Sequence, residues 1–74
     1  MVTVYGKPAC VMCNATNMKL QRLGIEYEYI DVSTNADALE YTKSLGYMQA
    51  PVVVAPNGEH WSGFNPGKLD SLAA

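Results

Sequence analysis

Seventy-four residues suffice for one domain and no more. With 49% hydrophobic and only 16% charged residues, the composition excludes a disordered chain. A formal net charge of −2, with the five basic residues Lys7, Lys19, Arg22, Lys43 and Lys68 scattered, removes the electrostatic case for nucleic acid. No apolar run approaches the roughly 18–20 residues needed to cross a membrane. The chain starts directly as a strand, without a charged-then-apolar signal segment, so the cytoplasm is the expected location. There a lone pair of cysteines is more often catalytic than structural. A chain this short buries only about 60–65% of its unfolded surface, so its sheet must be compact.

The first element is Val2-Thr3-Val4-Tyr5, β-branched and aromatic, which predicts a short strand. Gly6-Lys7-Pro8-Ala9 turns the chain, and a helical pattern follows from Cys13 to Leu23, closed by Gly24. Ile25 to Val32 alternates apolar and polar residues at first, then turns mostly apolar, and predicts a second strand. Ser33-Thr34-Asn35 supplies helix-capping chemistry, and the helix beyond it sets Ala38, Leu39, Thr42 and Leu45 on one face before Gly46 ends it. Pro51-Val52-Val53-Val54-Ala55 is an apolar run of strand length, expected inside a sheet. Asn57-Gly58 is the best hairpin signal in the chain. Glu59 to Ser62 returns as a fourth strand, Gly63 to Pro66 turns, and Lys68 to Leu72 forms a short last helix.

That order, β-α-β-α-β-β-α, predicts an α/β protein. A right-handed parallel β-α-β unit comes first and an antiparallel hairpin last, making a four-stranded mixed sheet with three helices. It is the minimal thioredoxin fold.

Cys10-Val11-Met12-Cys13 sets two thiols one helical turn apart at a strand-to-helix junction. There the unpaired N–H groups and positive end of the helix dipole favour a thiolate at Cys10, and Lys7 can add positive charge nearby. Lowering a thiol pKa from about 8.5 to about 7 raises the thiolate fraction near pH 7.4 from ~7% to ~70%. As a mere staple, a Cys10–Cys13 bond closes a tiny loop worth only about 2 kcal/mol. As a zinc site the pair is two ligands short, and His60 supplies at most a third. A cluster shared between two subunits, with Cys10 from each, is a further alternative.

The segment Val4 to Cys13 resembles the active-site segment of glutaredoxins. Gln49-Ala50-Pro51-Val52-Val53, together with His60-Trp61-Ser62-Gly63-Phe64-Asn65-Pro66, is similar more specifically to the NrdH-type redoxins, which are glutaredoxin-like in sequence and thioredoxin-like in activity. The resemblance implies that Cys10 is the nucleophile and Cys13 the resolving thiol, and that the Ala50–Pro51 bond is cis. It also implies electrons that come ultimately from NADPH through a flavin-dependent thioredoxin reductase, with no cofactor bound to the chain itself. The implied client is the large subunit of a class Ib ribonucleotide reductase. Glutaredoxins typically carry a Gly-Gly and an Asp-containing turn after the hairpin, where glutathione is held. Trp61 to Pro66 is bulkier and uncharged, which implies poor glutathione binding. A glutathione-dependent glutaredoxin is the alternative reading of the same fold.

Around the thiols, Val11 and Met12 form an exposed apolar pair suited to a protein client. Met48, Gln49 and Ala50 are expected at the rim beside Pro51. Trp61 reads both as a core residue and, with Ser62, Gly63 and Phe64, as part of a client or reductase surface. His60, on the opposite side of its strand, is expected in solvent. The position where thioredoxins bury a carboxylate, six residues before the first cysteine, is Val4. The NrdH pattern usually has Arg where this chain has Asn65, and Thr where it has Gly6. Gly6 is expected to loosen the approach to the active-site loop. A monomer is expected.

Overall fold

The computed structural model describes Met1–Ala73. Its elements are β1 (Val2–Gly6), α1 (Val11–Arg22), β2 (Tyr27–Asp31), α2 (Ala36–Ser44), β3 (Val52–Val54), β4 (His60–Ser62) and α3 (Pro66–Leu72). They form one four-stranded sheet in the order β2-β1-β3-β4. β1 and β2 run parallel, with Val4 beside Tyr29. β1 with β3 and β3 with β4 are antiparallel. The apolar β3 therefore lies inside the sheet, as its run of valines predicts.

Alternation along β1 assigns the two faces. Val2 and Val4 point to one side, where they join Val53 and Trp61 from the sheet, Leu20 from α1 and Leu69 from α3 in the main core. Lys19 and Asp70 pair at 2.9 Å where α1 and α3 meet. Tyr5 and Val52, of opposite parity, face α2, whose only buried residues are Ala38 and Thr42. The rings of Tyr5 and Tyr41 meet on this side with centroids 5.5 Å apart, tilted 48° to each other. Leu39, expected to be covered, stays about one third exposed. One face of the sheet is thus packed deeply and the other thinly.

Two helix starts differ from the sequence reading for the same reason. α1 begins at Val11 because the Cys10 side chain caps it, and sulfur falls outside the usual oxygen-bearing capping set. α3 begins at Pro66 because Asn65 caps it, its Oδ1 accepting from the Lys68 N–H at 3.1 Å. Proline at the first helical position loses no hydrogen bond there. The Asn65 that departs from the NrdH pattern is therefore a helix cap, a role an Arg side chain, with no acceptor, cannot fill. At β2 the regular pairing covers only Tyr27–Asp31 of the expected Ile25–Val32. The main-chain N–H groups of Ile25 and Val32 instead bond to Leu20 and Gly6 carbonyls at 3.0 and 2.9 Å.

No helix among the described residues is long and apolar enough to cross a membrane.

Candidate active site

β1 delivers the chain to the site through Lys7-Pro8-Ala9, where Ala9 adopts φ 55°. That left-handed conformation is uncommon for a residue with a Cβ. It reverses the chain so that Cys10 becomes the residue before the first turn of α1. The Cys13 N–H donates to the Cys10 sulfur at 3.1 Å. A helix N-terminus thus points an otherwise unpaired donor at this sulfur, the contact that stabilises a thiolate once the pair is reduced.

Cys10 and Cys13 form a disulfide with Cα atoms 5.2 Å apart. The two sulfurs differ in access: Cys10 retains 8% of its surface and Cys13 none. Cys10 is less open than a position at the exposed end of a helix suggests, yet it is the one an attacking sulfur can approach. Val11 and Met12 between them are exposed, Val11 at 83%. Val4 is fully buried, so the thioredoxin carboxylate position here is part of the core.

Gly6 is a correction to the sequence reading. It does not loosen the loop; it is buried at the end of β1 beneath Tyr29 of β2. A Cβ at position 6 would stand 2.6 Å from the Tyr29 Cζ, closer than packed atoms approach. The Tyr29 hydroxyl then donates to the Lys7 carbonyl at 3.4 Å, across the start of the active-site loop. Partial burial pushes the Tyr29 pKa up, and Asp31 and Tyr27 add to it.

The Ala50–Pro51 bond is cis. Pro51 is buried, and its carbonyl accepts from the Gly63 N–H at 2.8 Å. The Ser62 hydroxyl donates to the Gln49 carbonyl at 3.0 Å. Ser62 and Gly63 are thereby laced onto the proline loop, while the main-chain groups of Ala50 have no partner among the described residues. Gly63, at φ 86°, makes the turn that this lacing requires.

The remaining predicted residues fall in three places. Lys7, Met48, Gln49 and Ala50 line a groove of about 140 Å³. Phe64 stands apart from them, in a shallow depression with Met18 and Arg22 on the outer side of α1. Trp61 is 6% exposed and belongs to the core, with Lys68 held 5.5 Å over its ring. Its side chain takes the core place that the sequence also allows, and Ser62 and Phe64 form the exposed part of that segment. The Nε1 of Trp61 and the Oδ1 of Asn17 are buried without a hydrogen-bond partner among the described residues. His60 is exposed, and its Nδ1 shares a 2.8 Å hydrogen bond with the Tyr47 hydroxyl. Among the described residues no three His, Cys, Asp or Glu side chains gather as metal ligands.

The groove also contains residues that sequence reasoning missed: Tyr5, Leu39, Thr42, Lys43 and Tyr47. Leu39 and Thr42 share a face of α2 in the sequence reading too, and Lys43 completes with them an i, i+3, i+4 set that borders the groove.

The chain is similar to other proteins over nearly its whole length. It is 40% identical over 72 residues to the Gene 56 protein of Mycobacterium phage L5, covering 96% of this chain and 70% of that one. It is 35% identical over 71 residues to the glutaredoxin-like protein NrdH of Escherichia coli K12, covering 96% and 86%. The solved structure of the Escherichia coli NrdH-redoxin, a glutaredoxin-like protein with a thioredoxin-like activity profile, superposes with a TM-score of 0.91 at 35% identity, covering 96% of this chain and 92% of that one. Residues 2–61 match the family model described as Glutaredoxin. That match takes in the Cys10–Cys13 disulfide, the cis proline and the sheet as far as the middle of β4, and the chain is a dithiol redox protein of the glutaredoxin family.

Proposed function

We propose that this chain is an electron donor for protein disulfides, drawing its electrons from NADPH through a flavin-dependent thioredoxin reductase. Its client would be the large subunit of a class Ib ribonucleotide reductase. No cofactor is needed on the chain itself, because the two thiols carry the electron pair. The Cys10 thiolate attacks one sulfur of the client disulfide. A mixed disulfide forms and the other client sulfur leaves as thiolate. Cys13, after losing its proton, attacks the Cys10 sulfur and expels the second client thiolate. The client gains two electrons, and the Cys10–Cys13 disulfide of the structure is the product awaiting reduction.

One observation carries the choice of electron source. Ser62 and Gly63 are bonded down onto Gln49 and Pro51, and the uncharged segment Trp61-Ser62-Gly63-Phe64 stands where the resemblance to glutaredoxins implies a Gly-Gly and an Asp-containing turn that hold glutathione. The likeness to NrdH over nearly the full length supports the same reading. A coupled NADPH-consumption assay with one disulfide substrate tests it. Thioredoxin reductase should outpace a glutathione system by at least about tenfold, or about 1.4 kcal/mol of transition-state preference. Comparable rates would overturn this reading in favour of a glutathione-dependent glutaredoxin.

A further inference from the structure

We infer that Tyr29 is a positioning residue for Cys10: its hydroxyl holds the loop that delivers the nucleophile to α1, and Gly6 gives the ring room to reach that loop. The inference rests on Cys10 being the nucleophile of the donor function proposed above, and it adds a residue of β2 to that site.

The loop has little else to hold it. Lys7, Pro8 and Ala9 are all exposed. Among the described residues, their one hydrogen bond is the one that the Lys7 carbonyl accepts from Tyr29, at 3.4 Å. Main-chain bonding between β1 and the β2 side stops a residue earlier, where the Gly6 carbonyl accepts from the Val32 N–H at 2.9 Å. Pro8 has no N–H to offer. Ala9 sits at φ 55°, a conformation that an alanine leaves readily unless the chain on both sides is fixed.

From that carbonyl to the sulfur is a short path. Fixing the Lys7 oxygen fixes the plane of the Lys7–Pro8 peptide, and the proline ring sets the next φ. The ψ of Pro8, the Ala9 dihedrals and the φ of Cys10 then separate the clamp from the nucleophile. At the far end the Cys10 sulfur accepts from the Cys13 N–H at 3.1 Å, the contact that favours a thiolate. A loop free to swing weakens that contact and lets the Lys7 ammonium drift, and both changes favour the thiol. Burial first, then Asp31 and Tyr27, pushes the Tyr29 pKa up, so its hydroxyl stays a donor while Cys10 titrates.

Gly6 and Tyr29 must agree for this clamp to exist. A Cβ at position 6 would stand 2.6 Å from the Tyr29 Cζ, so the ring reaches the Lys7 carbonyl only across a glycine. The Thr usual at this place in the NrdH pattern would close that path. The clamp therefore belongs to this chain's own pair of residues and not to the pattern it resembles.

The test uses the reduced Cys13→Ser protein, in which a single thiol titrates and the curve belongs to Cys10 alone. Thiolate absorbance against pH gives its pKa, alkylation by iodoacetamide gives its reactivity, and a urea midpoint accompanies each variant. Tyr29→Phe keeps the ring and removes the donor. It should raise the Cys10 pKa by about 0.3–0.5 unit while barely moving the urea midpoint. Well below the pKa, alkylation should slow about two- to threefold, because the thiolate fraction follows the shift; well above it the rates should converge. Gly6→Ala should raise the pKa by a similar amount when Tyr29 is present. In a Tyr29→Ala protein the same change should leave the pKa where it was, since no ring meets the new Cβ. An unmoved pKa in Tyr29→Phe, a slowing that persists at high pH, or an equal Gly6→Ala shift with and without the tyrosine would each overturn the inference. No client, reductase or glutathione enters these measurements, so their outcome is independent of the NADPH-consumption assay.

Discussion

The ring of Tyr29 occupies the space that a side chain at position 6 would need. The two residues sit 23 positions apart on adjacent parallel strands, and each explains the other: the glycine admits the ring, and the ring roofs the end of β1. Gly6→Thr, which restores the residue usual in NrdH-type relatives, should destabilise the protein by about 1–3 kcal/mol through overpacking. Tyr29→Ala in the same chain should recover much of that loss. Urea denaturation of the two single variants and the double variant measures the coupling. Additive effects would mean that the ring simply swings aside.

A pH dependence follows from the same tyrosine. Partial burial raises the folded-state pKa of Tyr29, and Asp31 and Tyr27 raise it further. Tyr5 is raised as well, by burial first and then by Tyr41 and Glu28. A pKa above the unfolded value of about 10 means that the folded state holds these protons more tightly. The linked stability is full below that pH and is lost as pH rises through the folded-state values. Chemical denaturation from pH 8 to 11 should show that decline, and Tyr29→Phe should make it shallower.

Access decides the order of reaction at the thiols. Limiting alkylating reagent at near-neutral pH should modify Cys10 of the reduced protein well before the buried Cys13, as read by mass mapping. Labelling at Cys13 first would reverse the two roles. A Cys13→Ser protein should accumulate a mixed disulfide with its client, because nothing remains to expel it.

Lys7 lines the groove while belonging to the loop that leads to Cys10. Lys7→Glu should raise the Cys10 pKa by roughly 0.3–1 unit, the range for partly screened charges. Thiolate absorbance against pH measures it. An unchanged titration would assign Lys7 to the groove alone.

Asn65→Ala should cost about 1 kcal/mol by removing the cap of α3. Asn65→Arg should cost about as much, for all its likeness to the NrdH pattern. Thermal midpoints of the three proteins test this, and a more stable Arg variant would show that the cap matters less than the charge.

Much of this was legible in the order of residues. The strand-turn-helix around Cys10-Val11-Met12-Cys13 and the Asn57-Gly58 hairpin are local, so periodicity and turn chemistry reveal them. The order of elements then fixes the parallel and antiparallel pairings. The Gly6–Tyr29 contact was not legible, because it depends on strand register across a long separation. The groove was hidden for a similar cause: it draws on β1, α2, the cis-proline loop and β3, and no single segment carries its signature. Trp61 shows the opposite limit. Its motif marks the segment, but only packing against Leu20 and Leu69 shows that its side chain lies inside.

The uneven packing of the two sheet faces divides rigidity between the helices. α1 is anchored through fully buried Leu20 and braced by α3, so the helix that presents the sulfurs keeps its place. α2 is held mainly through Ala38 and Thr42, small side chains that forfeit little when they shift. Local opening therefore begins at α2, beside the groove, and leaves the redox helix in register. The fold thus keeps its plasticity at α2 and the groove it borders, and its rigidity at the helix that presents the sulfurs.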